Sequence, residues 1–113
     1  MQLRGYNDRV DFVARSGAAG AICFGDPRSL VEEFFGSAHR ETTEPGASAG
    51  LVTTLYYYND ALEIVLGDAG VESITMHPGK MKEKVQLFKG AEKIDNGDKD
   101  DKDSEDSVTF LPA

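Results

Sequence analysis

A chain of 113 residues that is 40% apolar, with six phenylalanines, four tyrosines and no tryptophan, has material for one hydrophobic core and not for two. Twelve lysines and arginines against 20 aspartates and glutamates leave a formal net charge of −8, which repels nucleic acid phosphates and anionic lipid and favours a basic protein as partner. There is no run of 18 apolar residues, MQLRGYNDRVDF lacks the apolar centre of a secretory signal, and the single Cys23 cannot form an internal disulfide, so a cytoplasmic protein without a membrane span is expected.

Residues 1–24 admit two readings. Val10, Phe12 and Ala14 alternate as in a strand, while Val10, Val13 and Ala14 can share a helix face; we take the strand. After the small residues of Ser16–Gly20, the run Ala21–Phe24 reads as a second strand that ends at Gly25, with Cys23 expected to be a buried, reduced thiol.

A helix is predicted next, over residues 27–35. Asp26 is placed to cap it, Pro27 suits a first helical position that has no N–H partner to lose, and Gly36 is placed to end it. Leu30, Val31, Phe34 and Phe35 fall three and four residues apart and form one apolar stripe that needs a sheet to cover it. The following stretch, SAHRETTEPGASAG, is small, polar and broken at Pro45-Gly46, and reads as a long mobile loop and a contact surface.

Three β-rich runs, LVTTLYYY, ALEIVL and VESITM, occupy residues 51–76, separated by Asn59-Asp60 and by Gly67-Asp68-Ala69-Gly70. Both separators tolerate turn conformations, which predicts an antiparallel meander. Leu62, Ile64 and Leu66 should share one face; Val71, Ser73 and Thr75 should face away from Ile74 and Met76. Tyr56, Tyr57 and Tyr58 must alternate between faces, leaving at least one ring exposed. His77-Pro78-Gly79 ends the pattern, and Val85–Phe88 reads as a further strand or an edge segment.

The predicted fold is therefore α+β: an antiparallel sheet, made of the three-stranded meander and one or two further strands, packed against one short helix. Residues 1–94 should form a single domain. Residues 95–106, DNGDKDDKDSED, carry seven acids and two lysines, too polar to offset the entropy of ordering, and are expected to be a flexible loop or tail. Residues 107–113 can return as a terminal strand.

Chemistry-bearing patterns are sparse. Asp98, Asp100 and Asp103 suggest a calcium loop, but an EF-hand register from Asp98 puts Lys102 at a ligand position and Asp103 where glycine is required, so no metal is expected. GAAGAICFG has glycines but neither a Gly-Lys-Ser/Thr nor a Gly-x-Gly-x-x-Gly pattern, and no nucleotide or other cofactor is expected. His39 and His77 are the candidates for acid–base work near neutral pH, yet no nucleophile motif or metal spacing accompanies them. Structural roles are expected for both, and no enzyme activity. An exposed tyrosine among acids is instead the composition of a protein-binding surface.

The stretch from Gly20 to Met76, with a short strand AICFGDP, a helix LVEEFFG and a meander LYYYND and ALEIVLGDAGVESI, resembles small bacterial immunity proteins of toxin delivery systems. The resemblance covers about half the chain. It implies a small acidic cytoplasmic protein that occludes a cognate toxin, and the charge makes a basic nuclease the expected target; size and composition make a monomer or a small homo-oligomer the default. The surface argument above, and no motif of such proteins, supplies the candidate contacts: Glu41, Glu44, Asp60, Glu63, Asp68 and Glu72, with Tyr56 and Tyr58 as aromatic anchors. The other readings are a binding or scaffolding module of unrelated role, and a small enzyme or ligand carrier with His39 or His77 at the rim of an apolar pocket.

Overall fold

The computed structural model describes residues 1–46, 50–93 and 107–112. The chain is α+β, with ten strands and one α-helix among these residues. β1 (Gln2–Gly5), β2 (Arg9–Val13), β3 (Ala19–Cys23), β8 (Gln86–Lys89) and β9 (Glu92–Lys93) form a first sheet in the order β3-β2-β1-β8-β9. β4 (Arg40–Pro45), β5 (Leu51–Tyr57), β6 (Leu62–Gly67), β7 (Gly70–Met76) and β10 (Val108–Phe110) form a second, in the order β10-β7-β6-β5-β4. The helix α1 (Arg28–Phe35) joins them. No helix of the described residues is long and apolar enough to cross a membrane.

Period-2 alternation places one apolar face of each sheet in a shared core. Leu3, Val10, Phe12, Ile22 and Leu87 come from the first sheet, and Leu55, Tyr57, Leu62, Ile64, Ile74, Met76 and Phe110 from the second. Gly5 lets the sheets meet closely, because a Cβ there would overlap the Phe110 ring. The helix contributes the fully buried Val31, and its Phe35 ring packs 4.7 Å from that of Phe12 and 5.4 Å from that of Tyr57. Phe34 lies edge-on to Phe12 over Gly20 but stays 43% exposed, so the predicted apolar stripe is only partly covered.

Several local expectations are met. The meander of β5, β6 and β7 is antiparallel, Gly36 ends α1 at φ 78° with its N–H bonded to Glu32 O, and the C-terminal apolar run pairs as β10 with β7. Tyr57 points into the core and donates from its hydroxyl to Gly36 O at 3.0 Å, which satisfies a carbonyl that the helix end leaves open.

Others are corrected. Pro27, not Asp26, occupies the cap position; the Asp26 carboxylate instead turns back to accept the Cys23 N–H at 2.8 Å. A residue before proline is held in extended backbone, which suits this turn. Cys23 is exposed, because the inward position of the AICF run belongs to Ile22 and the pleat turns its neighbour outward. The expected loop over residues 37–50 contains β4, a polar edge strand paired with β5.

The phase of β7 also differs. Its register against β6 shifts between Val65 and Leu66, so Glu72 is an extra residue in a bulge and Val71 turns inward beside Ile74 and Met76. Val85–Phe88 supplies β8, which pairs in parallel with β1. The expectation for residues 95–106 lies outside the described residues.

Candidate functional site

All eight candidate contacts belong to the second sheet or its turns, and the pleat separates them. Outward-facing positions are Arg40, Thr42 and Glu44 on β4, Val52, Thr54 and Tyr56 on β5, Glu63 and Val65 on β6, and Ser73 and Thr75 on β7. Tyr56, Glu63, Glu44 and the bulged Glu72 are thus on or over one face. Glu41 points to the opposite side, towards α1, while Tyr58 and Asp60 sit in the β5–β6 turn and Asp68 in the β6–β7 turn.

At the β5–β6 end, cations from the chain itself meet the acids. Arg40 donates to Asp60 at 3.1 Å and lies 3.7 Å above the Tyr56 ring, so guanidinium, carboxylate and aromatic face form one stack. That contact with Arg40 holds the Asp60 carboxyl below its ordinary pKa. The Asp60 N–H donates to His39 Nε2 at 3.2 Å, and the same nitrogen lies 3.1 Å from Asp60 Oδ1. His77 Nε2 bonds Glu63. Glu41 receives two bonds from Arg28, at 2.6 and 3.2 Å, and its pKa is lowered by them.

Backbone strain accompanies this cluster. Tyr58, Asn59 and Asp60 all have positive φ, 55°, 55° and 69°. Asn and Asp tolerate that region because their short side chains bond locally, but a tyrosine there is an outlier. Tyr58 is held with its ring edge-on to Phe35 and is 42% exposed, and burial raises its phenol pKa, as it does for Tyr57.

The opposite end is arranged differently. Glu44, Asp68 and Glu72 are exposed, and among the described residues none of them has a salt-bridge partner. Glu72 folds back so that its carboxylate occupies the space that a Cβ on Gly67 would take, and Asp68 lies against Gly50 in the same manner. Two close backbone bonds hold this end together: Gly25 N–H to Val71 O and Val71 N–H to Asp26 O, each 2.9 Å. Gly70 makes them possible, since it has φ 98° and any Cβ there would overlap the carbonyl oxygens of Gly25 and Asp26.

Between Glu44 and Glu72 the outer face carries an open groove of about 840 Å³. Val52, Thr54 and Val65 lie along it and the 62% exposed Leu111 stands at its margin. The groove was not anticipated. Its signal was available, however: a wetted face of an antiparallel sheet is ordinarily polar at every second residue, and Val52 and Val65 break that rule. Neither His39 nor His77 lines the groove. No group of three or more His, Cys, Asp or Glu among the described residues is disposed to hold a metal ion.

Comparison with protein-family models, with curated proteins and with solved structures finds no match to this chain.

Proposed function

We propose that this chain is a non-catalytic binding protein that captures a basic protein through the outer face of its second sheet. The observation that carries the reading is the gathering of three exposed carboxylates, Glu44, Asp68 and Glu72, which have no salt-bridge partner among the described residues, at one end of that sheet beside an apolar groove. Carboxylates not already bonded within the molecule can exchange water for a partner's lysines and arginines, while those held by Arg28, Arg40 or His77 must first release an existing bond. The role implied by the resemblance, neutralising a basic nuclease toxin, is the specific form we propose for this capture, with the carboxylates standing where nucleic acid phosphates would bind.

The histidines favour structural roles over acid–base chemistry. Each is engaged with a carboxylate or backbone group of an adjoining element, and neither borders the groove. The test is to immobilise the native chain and an E44Q/E72Q variant in parallel, and to present the product of the neighbouring reading frame at two ionic strengths. Native-only, salt-sensitive, stoichiometric retention, with loss of that protein's nuclease activity in the complex, is the expected result. Equal retention by both chains, or none at low salt, overturns the proposal.

A further inference from the structure

We infer that the groove between Glu44 and Glu72 receives an extended segment of the partner, with one aliphatic side chain seated on Val52 and Val65 and a lysine or arginine on either side of it. The inference rests on the proposed capture of a basic protein and specifies how the capture is made. Val65 is directly opposite Thr54 on the neighbouring strand, and Val52 is the next outward residue beyond Thr54. These two diagonal neighbours put an apolar strip on a face that water would otherwise occupy, lining a groove of about 840 Å³. An aliphatic side chain seated there adds no polar group of its own that would need a partner.

The flanking charges set the spacing. Glu44 is on β4, and the Glu72 carboxylate is folded from β7 across Gly67 of β6. At about 4.8 Å per strand, β4 and β6 lie ~10 Å apart. In an extended segment, residues two apart on one face are separated by roughly 7 Å and residues four apart by roughly 13 Å. A cation, an aliphatic residue and a second cation at alternate positions therefore place the middle side chain on the strip, with both flexible cationic chains in reach of a carboxylate. Gly67 is a positioning residue: adding a Cβ would displace the Glu72 carboxylate from the groove margin. The same carboxylates disfavour anionic lipid and nucleic acid as occupants.

Fluorescence anisotropy with two labelled nine-residue peptides tests this. Both carry the core Lys-Ser-x-Ser-Lys and equal charge, with x either valine or serine. The valine peptide should bind the native chain at least fivefold more tightly. Val65→Lys should weaken it tenfold or more while leaving the urea midpoint near the native value, because Val65 faces outward, and Gly67→Ala should weaken it less. If the two peptides bind alike and Val65→Lys changes nothing, the groove assignment is wrong and recognition by charge alone stands. If neither peptide binds, the groove assignment is also overturned, and retention of the basic protein by the native chain and not by E44Q/E72Q decides the broader reading separately. Should sedimentation show a native dimer that Val65→Lys dissociates, the groove belongs to a second copy of the chain and the inference fails.

Discussion

At one end of the second sheet Asp60 and Glu63 have partners from the chain itself, in Arg40, His39 and His77, and Glu41 on the same edge strand is held by Arg28. At the other end Asp68 and Glu72 lie against glycines, and among the described residues neither they nor the exposed Glu44 has a salt-bridge partner. The two ends draw on the same composition, yet one spends its charge on holding turns and edges in place and the other presents it to solvent. Net charge alone therefore does not measure what a partner can use. A carboxylate already bonded internally offers little net gain on binding, because one ion pair replaces another.

The largest effect expected from breaking this arrangement is at Gly70. Alanine there combines a left-handed backbone with overlap against two carbonyl oxygens, and should lower unfolding stability by ~3 kcal/mol, read from the urea midpoint. It should also loosen the hold of the β6–β7 turn on the residues before α1, so amides of Val71 and Gly25 should exchange faster with deuterium.

Next comes partner affinity. E44Q/E72Q should weaken binding tenfold or more, roughly 1.4 kcal/mol, and leave stability unchanged, whereas E41Q and D60N should leave affinity within twofold. A large affinity loss in D60N would mean that the strained turn, and not the groove end, is the contact surface. At the turn itself, Asn59→Ala should cost ~1 kcal/mol, since alanine bears the left-handed conformation without the local bonding open to asparagine.

The smallest effect is in pH dependence. Glu41 and Asp60 have pKa values lowered in the folded chain by Arg28 and Arg40. A lowered carboxylate pKa contributes stability that is present above the unfolded-state value and is lost as pH falls through the folded one. Both groups are exposed, so the contribution is modest and screened by salt. Acid titration of the native chain and of E41Q/D60N should therefore converge at low pH and differ slightly at neutrality, with added salt reducing the difference.

The physical reasons for what was legible in the sequence lie in particular elements. α1 and the meander announced themselves because Val31, Leu62 and Ile64 repeat with the period of their element and bury the side chains that do so. β4 did not, because an edge strand needs no apolar face: Arg40-Glu41-Thr42-Thr43-Glu44 carries charge on both sides, as suits a strand open to unwanted pairing. The bulge at Glu72 could not be read either, since one inserted residue changes the phase of β7 without altering its composition. The candidate acids were readable as a set, but the division between bonded and unbonded ones depends on Arg28 and Arg40, cations supplied by other elements.

The pairing of β1 with β8 has a consequence during synthesis. Gln2 lies opposite Gln86, so at about 5–20 residues per second the first strand waits roughly 4–17 s for its neighbour. Throughout that interval β1 has one open hydrogen-bonding edge, while the β5–β7 meander, local in sequence, is complete once Met76 has been made. The β4–β7 part of the second sheet is thus able to form before the first sheet is closed, and a nascent chain stalled before residue 86 would expose the open edge of β1 beside Leu3, a surface for chaperones or for aggregation.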